Sequence, residues 1–184
     1  RVLFRSAAAG GVGLLLCQWA KHLGATVIGT VGSADKAKLA AAHGCDHVIN
    51  YREQSFPAEV KRITGGAMLP VVYDGVGKDT FEGSLDCLRP LGLMVSFGNA
   101  SGAVPPFSVG VLASKGSLFL TRPTLATYVA KREDLETAAR ELFDVVKNGI
   151  VKVEVNQTYA LKDAAQAHRD LEARKTTGST VLLP

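Results

Sequence analysis

The chain has 184 residues, of which 47% are hydrophobic: enough for one sizeable folded core and too apolar a composition for intrinsic disorder. Its formal net charge of +4 is spread over basic residues that never cluster beyond pairs such as Lys61-Arg62 and Arg174-Lys175, which argues against nucleic-acid binding. No apolar run is long enough to cross a bilayer, no signal-peptide pattern opens the chain, and Cys17, Cys45 and Cys87 lack the spacing of a disulfide framework or a zinc site, so a cytoplasmic, reducing setting is expected.

The chain opens on an apolar run around Val2-Leu3-Phe4, passes through small residues from Ser6 to Gly13, and continues with helical spacing. Beginning inside a strand with no lead-in leads us to expect that an N-terminal region is missing. Ala8, Gly10 and Gly13 stand at the spacing of a dinucleotide-binding fingerprint, with Ala in place of the first Gly. Such a turn carries almost no side chains, so an anion can reach the free N–H groups at the start of the helix. In this reading Gly10 admits the phosphate closely and Gly13 lets the helix lie against the strand. A Gly-rich turn alone is a weak signal, but its context fits. Val12, Leu15, Leu16, Trp19 and Leu23 form one apolar helical face, Gly24 ends the helix, and Ala25 to Val31 reads as a second buried strand.

Further along, Ser33 is a candidate N-cap for an alanine-rich helix ending near His43-Gly44. His47 to Tyr51 makes a third strand, and a polar helix from Pro57 carries Val60 and Ile63 before stopping at Gly65-Gly66. Val71 to Asp74 is a fourth strand, followed by a Gly75-Val76-Gly77 turn and a helix through Phe81, Leu85 and Leu88. Asp74, at the strand end, is a candidate cap for that helix. Pro90-Leu91-Gly92 reads as a turn into strand Leu93 to Phe97, which ends at Gly98-Asn99. After Pro105-Pro106 come a short helix from Val109 to Ala113 and a sixth strand, Ser117 to Thr121, stopped by Pro123.

Six strands alternating with helices predict an α/β fold, a doubly wound parallel six-stranded sheet of Rossmann type over residues 1–130. The tail, residues 131–184, reads differently. An amphipathic helix from Asp134 to Lys147 on Leu135, Ala138, Leu142 and Val146 leads to a strand alternating on Val151, Val153 and Val155. A helix from Asp163 to Arg174 and a strand from Thr180 to Leu183 follow. These late strands have no place in the sheet, so they are expected to belong to a second domain. His168, beside Ala164 and Leu171, reads as a packed structural histidine.

An NAD-specific site usually has an acid at the end of the second strand, to accept from the ribose 2′-hydroxyl. That place holds Thr30, Val31 or Gly32, while Lys36 nearby can meet a 2′-phosphate. NADPH is therefore favoured over NADH. Nothing in the chain has the spacing of a nucleophile elbow, a metal site or a paired-carboxylate acid–base site, and hydride transfer from a bound cofactor requires none of these.

Five segments together carry a family resemblance: Ala7 to Gly13, Val48 to Arg52, Val72 to Gly77, Ser96 to Asn99, and Arg122-Pro123. They resemble the NADPH:quinone oxidoreductases, the zeta-crystallin-like, zinc-free branch of the medium-chain dehydrogenases/reductases. The resemblance implies a GroES-like catalytic domain ahead of the nucleotide domain, with residues 131–184 returning to it as a C-terminal remnant. It implies that Gly10, Gly11 and Val12 hold the pyrophosphate, and that Gly32, Lys36, Tyr51 and Arg174 hold the 2′-phosphate. Val76, Gly77, Phe97, Gly98 and Asn99 would then line the nicotinamide end. It further implies a quinone or other α,β-unsaturated carbonyl as substrate, and a homodimer. The unguarded apolar strand 117–121 is expected at a sheet edge and offers a surface for that pairing. A nucleotide-binding module without turnover is the alternative, and zinc alcohol dehydrogenase is a weaker rival among enzymes.

Overall fold

The computed structural model describes residues 2–184. The opening apolar run forms β1 (Val2–Arg5), which leads into α1 (Gly11–His22). There follow β2 (Thr26–Val31), α2 (Ala34–Ala42), β3 (His47–Asn50), α3 (Phe56–Ile63), β4 (Leu69–Asp74), α4 (Phe81–Asp86), β5 (Leu88–Ser96), α5 (Gly110–Ser114) and β6 (Phe119–Thr121). The six strands pair in the order β3-β2-β1-β4-β5-β6, parallel throughout. The chain thus starts at the centre, winds outward to β3, and returns to the other side of β1 at β4. That reversal opens a crevice above the C-terminal ends of β1 and β4.

Two apolar layers cover the sheet. One contains Phe4, Ile28, Ile49, Leu69, Val72 and Met94. The other is built from small side chains, among them Ala8, Cys17, Ala20, Val27 and Ala40. Small residues let α1 and α2 approach the strands closely, which sets the depth of the crevice. Ser33 caps α2 as expected, its hydroxyl accepting from the Lys36 N–H at 3.4 Å. All three cysteines are buried free thiols, and burial pushes the Cys87 thiol up to about 12.

Several expected boundaries move. Helix α4 stops at Asp86, and Leu88 already pairs with Leu69 in the sheet. Pro90-Leu91-Gly92, expected as a turn, lies with Arg89 in a bulge within β5, because Val71 next pairs with Leu93 and Leu91 takes φ +60°. The sixth strand is shorter than 117–121. Ser117 turns with φ +56° and Leu118 is buried in the core, so the strand begins at Phe119. It does lie at the sheet edge, with Phe119 60% exposed.

In the tail, a short helix α6 (Leu125–Tyr128) precedes α7 (Arg132–Lys147). The strand expected on Val151, Val153 and Val155 does not form. Val151 is buried just past α7, and β7 (Val155–Ala160) begins where that alternation ends. After a single 3-10 turn come α8 (Ala164–Glu172) and β8 (Ser179–Leu183), which pairs in parallel with β7 as a separate two-stranded sheet. Parallel pairing across α8 selected this strand, a long-range effect that local alternation does not reveal. His168 is exposed rather than packed.

Candidate dinucleotide site

The turn between β1 and α1 is made by residues that do different work. Ala7, not Ala8, takes the left-handed conformation, with φ +54°. Ala8 is buried and its N–H donates to the Thr30 carbonyl at 2.9 Å, which ties the turn to β2. A Cβ at Gly13 would sit 2.4 Å from the Ala7 carbonyl oxygen and 2.6 Å from that of Ala8. Glycine is therefore required there by backbone packing. Gly10, the N-cap of α1, has φ −80° and would meet only the Ala7 oxygen at 3.4 Å. Its missing side chain keeps open the space in front of the helix. Among the described residues no side chain caps α1, so its first N–H groups, on Gly11, Val12 and Gly13, are left free at the positive end of the helix dipole.

A cavity of about 360 Å³ lies in front of this terminus. It is lined by Gly10 and Gly11, by Gly32, Lys36 and Tyr51, and by Val76, Asp79 and Thr80. The segment Thr176-Thr177-Gly178 and Arg174 reach over from the tail. The Gly178 N–H donates to the Ala9 carbonyl at 3.1 Å, and Gly178 pairs with Gly10 in an isolated parallel bridge. The strap from the tail and Asp79 were not legible in the sequence, since both arrive through long-range contacts; only the resemblance pointed to Arg174.

At one corner, donors converge. The Lys36 ammonium donates to the Arg174 carbonyl at 2.6 Å, and Arg174 Nη1 donates to the Tyr51 hydroxyl at 3.4 Å. Arg174 Nη2 lies 3.7 Å from the Asp79 carboxylate. A Cβ on Gly32 would stand 2.7 Å from the Tyr51 hydroxyl, so glycine there lets the phenol reach the corner. An ammonium, a guanidinium and a phenol gathered at the end of β2 suit a phosphate oxyanion. Thr30, Val31 and Gly32 contribute no carboxylate at this place.

The other expected residues lie apart. Val12 is 61% exposed beside the cavity. Gly77, Phe97, Gly98 and Asn99 do not line it; they form an adjoining knot in which the 97–102 loop is stitched to the 75–77 turn. Ala100 and Ser101 donate to the Gly75 and Val76 carbonyls at 3.2 and 2.8 Å. Cβ atoms at Gly77 and Gly98 would stand 2.6 Å from the Gly102 oxygen and 2.4 Å from the Gly75 oxygen.

Asp74, fully buried at the end of β4, anchors this knot. Its carboxylate accepts from the Val76 and Gly77 N–H groups (2.7 and 3.1 Å), the Thr80 and Ser84 hydroxyls (both 2.7 Å) and the Ser6 hydroxyl (3.4 Å). It holds the turn ahead of α4 but does not cap that helix as expected: Thr80 is the N-cap, and the N–H groups that Asp74 binds belong to Val76 and Gly77, before the helix begins. Nearby, Arg5 is 4% exposed, with its guanidinium 4.6 Å over the Phe97 ring and Nε and Nη1 lacking partners among the described residues. Burial pushes Arg5 down to about 10, opposed in part by Cys17 and Asp74.

A doubly wound parallel sheet with an open helix N-terminus at its switch point defines a dinucleotide-binding fold. The chain belongs to the family described as zinc-binding dehydrogenase, which matches residues 11–144. Among the described residues, no group of three or more His, Cys, Asp or Glu is placed to hold a metal ion. The chain is 59% identical over 180 residues to a quinone oxidoreductase of Salmonella typhimurium, covering 97% of this chain and 55% of that protein. It is 49% identical over 179 residues to a 2-haloacrylate reductase of a Burkholderia species, covering 97% and 54%. Among solved structures, Escherichia coli quinone oxidoreductase complexed with NADPH superposes with a TM-score of 0.97 at 54% identity, covering all of this chain and 57% of that one. The chain thus spans about half the length of the relatives it matches.

Proposed function

We propose that this chain binds NADPH and forms the nucleotide-binding part of a reductase that passes hydride to quinones. The carrying observation is the corner where Lys36, Tyr51 and Arg174 converge beside a β2 end without an acid. The NADPH seen with the Escherichia coli relative supports the same cofactor. In this reading the N–H groups of Gly11 and Val12 hold the pyrophosphate, with Gly10 leaving room for it. Gly32, Lys36, Tyr51 and Arg174 hold the 2′-phosphate. The knot of Val76, Gly77, Phe97, Gly98 and Asn99 orients the nicotinamide end and keeps water from one side of it. Bound NADPH supplies the hydride, and a quinone accepting it can take its proton from water, so no side chain of this chain is assigned as a catalytic acid.

The name of the haloacrylate-reducing relative favours a second reading, in which the acceptor is another activated double bond. We place residues 1–130 in the nucleotide domain and 131–184 with a GroES-like catalytic domain. The separate β7-β8 sheet and the exposed Leu135, Leu142 and Phe143 on α7 support that division. The exposed edge at β6 supports a homodimer, and the buried free thiols support a cytoplasmic setting.

Calorimetric titration of Lys36→Ala tests the site. Losing a charged contact to phosphate costs about 1.5–3 kcal/mol, so NADPH affinity should fall at least tenfold while NADH changes little. Equal losses for both cofactors would remove the assignment.

A further inference from the structure

Arg174 occupies an unusual place. Its N–H donates to the Leu171 carbonyl at 3.0 Å, and the Lys175 N–H donates to the Asp170 carbonyl at 3.0 Å. This is the closing hydrogen-bond pair of a Schellman motif, whose left-handed position normally holds glycine. Arg174 holds it instead, with φ +59°. The strained backbone delivers a long cation from the tail to the mouth of the cavity, where its fork is divided. One nitrogen meets the Tyr51 hydroxyl, and the other faces Asp79 across the opening.

Asp79 is itself fixed. Its N–H donates to the Ser101 hydroxyl at 3.0 Å, and the preceding Lys78 N–H donates to the Gly102 carbonyl at 3.1 Å. The carboxylate thus projects from a fixed backbone into the lining of the cavity that Lys36 also lines, and Arg174 is its ion-pair partner among the described residues. A phosphate entering the corner needs the same guanidinium and meets Asp79 as a like charge.

We propose that Asp79 sets the margin between phosphorylated and unphosphorylated dinucleotides, by pairing with Arg174 at the mouth of the cleft and surrendering it to a 2′-phosphate. This rests on the assignment of the Lys36–Tyr51–Arg174 corner as the phosphate site. A dinucleotide without the phosphate leaves the pair intact and gains nothing from breaking it. One carrying the phosphate must replace the Asp79 contact, so part of its gain at Arg174 is spent. Asp79 is thus a specificity-determining residue that acts through Arg174. An exposed pair at this separation is weak, which makes it displaceable.

The test is Asp79→Asn, with NADP+ and NAD+ as probes in titration calorimetry on the 184-residue chain. The variant should bind NADP+ about three- to fivefold more tightly and leave NAD+ within twofold. In an Arg174→Ala background the same substitution should give no gain, because the contested cation is gone. If the wild type prefers NADP+ but Asp79→Asn leaves that preference unchanged, the proposal fails and the phosphate site stands. Weaker binding of both probes, with a lower melting temperature, would show that the pair only ties the tail to the sheet, and overturns it. A wild type without preference for NADP+ removes the phosphate site and this proposal together.

Discussion

Arg5 is a cation that the fold pushes into an apolar place, and replacing it should make the protein more stable. Its guanidinium is nearly inaccessible, and two of its nitrogens find no acceptor among the described residues. Burial holds its pKa at about 10, which at about 1.4 kcal/mol per unit corresponds to a penalty of roughly 3 kcal/mol on the charged form at neutral pH. That figure is already net of the attraction to Asp74, so the contact with Phe97, about 1 kcal/mol, is what stands against it. Asp74 does not depend on Arg5, since its two oxygens already accept from three hydroxyls and two backbone N–H groups. Arg5→Leu should therefore stabilise by about 1–2 kcal/mol, a rise of about 2–8 °C in melting temperature for a chain of this size. Because the folded-state pKa lies below the unfolded one, the charged form is penalised throughout the neutral range. The penalty fades only as pH rises through about 10. The gain should thus be flat between pH 6 and 9 in urea unfolding followed by circular dichroism. An unchanged or lower midpoint, or a gain that varies across that range, would refute the reasoning.

Gly13→Ala should lower stability by about 2–3 kcal/mol, because its Cβ collides with backbone oxygens that cannot move aside. Gly10→Ala, whose Cβ has room, should stay within about 1 kcal/mol of wild type while weakening NADPH binding; comparable melting temperatures for the two variants would contradict this division of roles. At the sheet edge, Phe119→Lys should reduce self-association in sedimentation experiments without unfolding the chain. Leu118→Lys should unfold it, since Leu118 is 6% exposed in the core. A wild-type chain that stays monomeric at micromolar concentration would rule out pairing through β6.

The order of strands and helices was legible because each element carries its own signal. Gly10 and Gly13 mark the turn, and Ser33 marks the start of α2 by the hydrogen bond its hydroxyl can make; the face of α1 was misassigned, because Gly13, Leu14, Cys17 and Ala20 are buried against the sheet while Val12 and Leu23 of the expected stripe are exposed. The absence of an acid at residues 30–32 could likewise be read directly, since strand β2 places those residues at the crevice whatever the rest of the chain does. What depended on distant parts of the chain was not legible. The strand expected at Val151 to Val155 yielded to Val155–Ala160, because β8 pairs with polar residues there. Local alternation also hid that Leu118 turns inward while Phe119 begins the edge. Tertiary structure alone set Asp79 across from Arg174 and carried Gly178 over the turn between β1 and α1. Local chemistry specifies turns, caps and faces over a few residues. Arg174 reaches Lys36 and Tyr51 from 138 and 123 positions away, and only the folded chain brings such residues together.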